Sequence, residues 1–73
     1  MKRSLHSKEY KEFTMRLRTA RIESGLTQVQ VAKKLKRPQS YVSNIESGQQ
    51  RVDVVELKKF AKLYDKDINY FIK

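Results

Sequence analysis

Gln39, Ser40, Ser43 and Asn44 fall within six residues of one another and carry uncharged side chains that both donate and accept hydrogen bonds. On a helix turning by about 100° per residue they gather on one side, while Val42 and Ile45 gather on the other. A solvated face would ordinarily carry Lys and Glu, which favour helices more than Ser or Asn do. Amides and hydroxyls so placed suit the reading of base edges in a DNA major groove. Gln or Asn pairs with adenine through N6 and N7, and Ser serves either kind of base while allowing close approach. The plainer alternative is a polar surface helix built from poor helix formers. Catalytic chemistry has far less to stand on. The chain has no cysteine and one histidine, His6, and shows no nucleophile–base set, carboxylate pair or metal cluster. Neither an enzyme nor a metal or other cofactor is expected.

The elements that must position this face can be read from start and stop signals. Tyr10, Phe13, Leu17 and Ala20 recur at helical spacing in a first helix over about 7–24, closed by Gly25. Thr27 and Gln30 form a capping-box pair, with Leu26 and Val31 as its hydrophobic staple, and open a second helix over 27–35 whose inner face is Val31, Ala32 and Leu35. Pro38 suits the first turn of a third helix over 38–47. Ile45-Glu46-Ser47-Gly48 ends it with the same tetrapeptide, Ile22-Glu23-Ser24-Gly25, that ends the first. Asp53 and Glu56, with Val52 and Leu57 as a staple pair, open a fourth helix over 53–64. Its inner stripe is Leu57, Phe60, Ala61 and Tyr64, and Asp67 is the expected cap of a short fifth helix over 67–72. The expected fold is all-α, a single domain over 1–73 with residues 1–6 as a flexible arm. The second and third helices, separated only by Lys36, Arg37 and Pro38, have the outline of a helix-turn-helix.

Charge points the same way. Seventeen Lys and Arg stand against eight Asp and Glu, a net of +9. Residues 1–37 hold eleven of the basic and three of the acidic side chains, so the surplus lies just before the polar face. Such a field suits a polyanion, with nucleic acid ahead of a membrane surface. No apolar run approaches the roughly 20 residues of a membrane span, and the start MKRSLHS lacks the apolar stretch of a signal peptide. The expectation is a soluble cytoplasmic protein. Lys2 and Arg3 are read as part of a frayed terminus, ahead of the alternative of a minor-groove arm.

The stretch SGLTQVQVAKKL, followed by PQSYVSNIESGQQRVDVVELKKFAKLY, resembles the helix-turn-helix domain of phage repressors and Cro proteins, the XRE-like family. Gly25-Leu26-Thr27-Gln28, Ala32, Ser43, Ile45-Glu46 and Gly48 carry the resemblance, which spans about Tyr10 to Phe71. It implies a five-helix, lambda-repressor-like fold and a sequence-specific regulator of transcription, most simply a repressor that occupies an operator. It implies that Gln39, Ser40, Ser43 and Asn44 read bases or adjoining phosphates, and that Gln28 grips a phosphate. Gln49, Gln50 and Arg51 are implied to meet phosphates through backbone amides and basic side chains. Arg21 and Glu46 match a pair that forms a salt bridge between the first and third helices. Tyr41 flanks the reading face and is placed to pack on the sugar–phosphate chain or to shield the turn.

One departure stands out. The family has Gly between its two central helices, where a left-handed residue is needed, and this chain has Lys36 at a cost of roughly 1 kcal/mol. Lys36 and Arg37 both bring positive charge to the expected path of the phosphates. A short reading helix covers few base pairs, so a homodimer on a two-fold symmetric double-stranded operator is expected, with Tyr70 and Ile72 as its interface. Two rivals remain: an antitoxin-type protein-interaction module that also autoregulates its operon, and a non-specific nucleic-acid or membrane-surface binder.

Overall fold

The computed structural model describes residues 7–72, so the expectations for the 1–6 arm, Lys2 and Arg3 included, lie outside it. Five helices follow in order: α1 (Lys8–Glu23), α2 (Gln28–Leu35), α3 (Gln39–Glu46), α4 (Val54–Leu63) and α5 (Asn69–Ile72). Among the described residues there is no strand. The first four helices begin one residue later than expected, because the sequence spans included the capping residue.

The N-termini are closed by short polar side chains. Ser7, Thr27 and Asp53 each accept the amide three residues on, at 3.1, 3.1 and 2.8 Å. At Thr27 the capping box is reciprocal, since the Gln30 side-chain oxygen accepts the Thr27 amide at 2.9 Å. At Asp53 only half of the box forms, and the Glu56 carboxylate is used elsewhere. Pro38 is the N-cap of α3, one position before the first turn expected for it, because its ψ of 155° leaves it extended. Asp67 likewise does not cap a helix three residues on. It accepts the Asn69 amide at 2.9 Å in a tighter Asx-type turn, which delays α5 to Asn69.

Four helices end in one way. Gly25, Lys36, Gly48 and Asp65 all have positive φ, at 75°, 60°, 84° and 56°. In each case the next residue's amide donates back to the carbonyl five positions earlier: Leu26 to Arg21, Arg37 to Ala32, Gln49 to Asn44 and Lys66 to Ala61. This is the Schellman arrangement, which satisfies carbonyls that a helix end leaves open. It also reverses the chain sharply, so that short helices can share one core.

That core is Leu17, Ala20, Val31, Ala32, Tyr41, Val42, Ile45, Leu57, Phe60, Ala61, Tyr64 and Phe71. Phe13, Leu26, Leu35, Val52, Leu63, Ile68 and Tyr70 pack around it half-buried. Thr14 is buried as well, its hydroxyl donating to the Lys11 carbonyl at 3.0 Å within its own helix. The expected α1 stripe therefore holds at Leu17 and Ala20, while Tyr10 and Phe13 are only partly buried.

Candidate nucleic-acid interface

The third helix presents two arcs. Tyr41, Val42 and Ile45 point inward at 8, 0 and 0% exposure. Gln39, Ser43, Ser40 and Asn44 cover the opposite arc of about 140°, as the 100° step requires. Gln39 and Ser40 are exposed, Ser43 and Asn44 half-buried. None of these four side chains hydrogen-bonds to another described residue, so their donors and acceptors face outward unspent. No acidic side chain lies in the first turn, and Pro38 makes no side-chain cap, which leaves the positive end of the helix dipole uncompensated.

Behind this helix stands a closed polar cluster. Arg21 Nε donates to Glu46 Oε2 at 2.7 Å and Nη2 to Oε1 at 3.1 Å, a bidentate pair. Arg21 Nη1 donates to the Leu26 carbonyl at 3.0 Å, and Gln28 Nε2 donates to Glu46 Oε1 at 3.0 Å. The Arg21–Glu46 pair thus joins α1, the turn into α2, the first residue of α2 and the end of α3. The hydrogen bond to Glu46 pushes the Arg21 guanidinium further toward its charged form, against the effect of burial. Gln28, expected at a phosphate, spends one of its two amide N–H groups on Glu46 and keeps the other, with its carbonyl oxygen, for further partners.

A second cluster supports the other end of α3. The Tyr41 hydroxyl donates to Glu56 Oε1 at 2.9 Å, and its ring stacks on Phe60 with centroids 6.4 Å apart. Burial, then the Glu56 carboxylate, raise the Tyr41 hydroxyl to about 12. Arg37 Nη2 sits 3.3 Å from Glu56 Oε2, with its guanidinium 4.4 Å over the Tyr41 ring. Lys59 Nζ completes the group at 3.6 Å. Tyr41, expected either to pack on the sugar–phosphate chain or to shield the turn, is a buried wall of the domain with its hydroxyl occupied by Glu56. Glu56 was legible only as half of a cap. Apart from Lys59, one turn on, its partners lie 15 and 19 residues away, beyond the reach of helical periodicity.

After α3 the chain turns back on itself. The Asn44 carbonyl accepts the amides of Gln49 and Gln50, at 2.9 and 3.2 Å, and the Ser47 hydroxyl at 3.1 Å. The Gln49 and Gln50 amides expected to meet phosphates are therefore spent on closing the helix. What this loop offers outward is the exposed side chains of Gln49 and Arg51. Lys36 and Arg37 are exposed at the opposite end of the face, Lys36 in the left-handed conformation expected of that turn.

Ile72, one of the two expected interface residues, is 58% exposed and lines an open groove that Val54, 61% exposed, lines as well. Tyr70, the other, is half-buried, edge-on to Phe71 and covered by Lys66 Nζ at 4.7 Å. Among the described residues no cluster of His, Cys, Asp and Glu could hold a metal ion. No described helix is long and apolar enough to cross a membrane.

Comparison with curated proteins finds none that matches the chain. A family model described as helix-turn-helix matches residues 17–71, from the middle of α1 through Phe71 of α5. The chain belongs to that family, the XRE/Cro-type helix-turn-helix domains that bind DNA and regulate transcription.

Proposed function

We propose that this protein is a sequence-specific repressor that acts in the cytoplasm, as a homodimer, by occupying a two-fold symmetric operator in double-stranded DNA. The observation that carries this reading is the unspent polar arc of α3. Gln39, Ser40, Ser43 and Asn44 would read base edges, with Gln39 and Asn44 suited to adenine. Lys36, Arg37 and Arg51, exposed at the two ends of that arc, would neutralise phosphates and fix the register without reading sequence. Arg37 would have to exchange Glu56 for a phosphate, or bridge the two. Gln28 and Gln49 contribute polar side chains at the edges of the same surface, and Gln50 contributes chiefly by holding the loop.

Dimerisation through Ile72, with Tyr70 as a flanking ring, would bring two reading helices to one side of the duplex about 34 Å apart. Selection of bound duplexes from a random pool, read at two salt concentrations, tests the proposal. A shared half-site repeated with two-fold symmetry is the expected result. Binding should weaken with salt by a log–log slope of about −0.9 per phosphate contacted. Recovery of unrelated duplexes with no common half-site would contradict it.

A further inference from the structure

The first turn of α1 reaches the loop that follows α3 through a single side chain. The Tyr10 hydroxyl donates to the Gln50 carbonyl at 3.5 Å, across 40 residues of chain. The Arg51 guanidinium lies over the Tyr10 ring, 5.4 Å from its centroid. Burial raises the ionisation of this hydroxyl, against the smaller downward pull of the Val52 backbone and the Arg51 charge. Two successive residues, Gln50 and Arg51, thus meet one tyrosine. The tyrosine is itself held, its ring 5.2 Å from that of Phe13, which packs against the core.

We propose that Tyr10 is a positioning residue for DNA binding: its hydroxyl fixes the loop at Gln50 and its ring aims Arg51 at a phosphate. The inference rests on the DNA-binding reading above. An exposed arginine pays in side-chain freedom when it is immobilised on a partner. A guanidinium already leaning on an aromatic face has fewer arrangements to lose, and the ring's attraction for the cation keeps it there. The Gln49 and Gln50 amides are closed onto Asn44, so Arg51 is the loop's one cation, and its aim decides what the loop contributes. The wall behind Tyr10 is an open groove of about 610 Å³ shared with Arg51, Val52, Leu57 and Phe71. Shortening the side chain there exposes no sealed cavity.

Duplex affinity, salt slope and thermal unfolding of wild type, Tyr10→Phe, Tyr10→Leu, Arg51→Ala and the double variant Tyr10→Leu/Arg51→Ala test this. Tyr10→Leu should weaken binding about three- to ten-fold, to selected and random duplexes alike, and bring the salt slope toward that of Arg51→Ala. Tyr10→Phe, which keeps the ring, should lose about half of that effect on a logarithmic scale, and it carries the test if Tyr10→Leu unfolds. In the Arg51→Ala background Tyr10→Leu should add less than about two-fold, because the residue it positions is gone. A full, independent loss in that background would make Tyr10 merely structural and overturn the inference. So would unchanged affinity and salt slope in both Tyr10 variants while Arg51→Ala binds weakly. Absence of duplex binding by the wild-type chain would overturn the DNA-binding reading and this inference together.

Discussion

Arg21 grips Glu46 with two parallel hydrogen bonds, at 2.7 and 3.1 Å, where the two side chains retain only 12 and 6% of their exposure. The planar guanidinium matches both carboxylate oxygens, a geometry Lys cannot reproduce. The pair joins helices 25 residues apart and sets the end of α3 against α1. Its contribution is directional: a buried bidentate contact specifies one relative placement of the reading helix, even where an apolar pair would be equally stable.

Loss of either partner alone strands a charge with little water to receive it. Arg21→Ala and Glu46→Ala should each cost about 2–4 kcal/mol, toward the lower part of the range for broken buried pairs because some exposure remains. The double variant Arg21→Ala/Glu46→Ala should cost clearly less than the sum. Denaturant unfolding of the four chains gives the coupling, and strictly additive losses would mean that the contact contributes nothing of its own.

Lys36 is held at φ 60°, a conformation that costs a side-chain-bearing residue about 1 kcal/mol. Lys36→Gly removes that strain, partly offset by the greater freedom of glycine in the unfolded chain. The expected net change is a gain of a few tenths to about 1 kcal/mol. Lys58→Gly, at an exposed position inside α4, should instead lose about 1 kcal/mol. Opposite signs in thermal unfolding confirm the strained turn; equal losses would refute it.

Two buried tyrosines should answer oppositely to loss of their hydroxyls. The Tyr64 hydroxyl is buried without a hydrogen-bond partner among the described residues, and burial pushes its ionisation strongly upward. Tyr64→Phe should be neutral or stabilise by up to about 1 kcal/mol. Tyr41→Phe should cost about 1–2 kcal/mol, since it removes the donor to Glu56 in a shielded site. A larger loss at Tyr64 than at Tyr41 would reverse this assignment.

The same hydroxyl gives an alkaline signature. Folding raises the Tyr41 hydroxyl from 10.0 to about 12, so the folded state holds that proton more tightly than the unfolded chain does. The stability it contributes is fully present below pH 10 and is lost as pH rises through about 12. Tyr41→Phe should show a shallower loss across that window than wild type in denaturant unfolding at stepped pH. Parallel curves would show that Tyr41 ionises alike in both states. Tyr64→Phe serves as the companion control, because Tyr64 is also pushed upward.

What could be read before folding was what repeats or punctuates. Val31 and Ala32 on one short helix and Val42 and Ile45 on the next declare their inner faces by spacing alone. Thr27 with Gln30, and Gly25 and Gly48 past two helix ends, carry their conformational reasons in their side chains. Lys36 was legible as a left-handed residue only because a glycine was missing there, and Asp65, at φ 56°, announced nothing. Partners across the fold were out of reach. Periodicity assigns Tyr41 to a face but not to Glu56, and Gln28 to a helix start but not to Glu46. The Tyr10 contact with Gln50 arises only when the loop closes on Asn44 and the chain reverses at Gly48.

Base preference at the reading helix tests the central claim most directly. Duplex selection with wild type, Gln39→Ala and Asn44→Ala should show that each substitution relaxes preference at one or two particular base pairs, by roughly ten-fold, as expected for loss of a two-bonded base contact. Affinity for random duplex should barely change, whereas Arg51→Ala should lower affinity for every sequence and reduce the salt slope by about one. Selected profiles for Gln39→Ala and Asn44→Ala identical to that of wild type would contradict the account, since the polar arc of α3 would then not read bases.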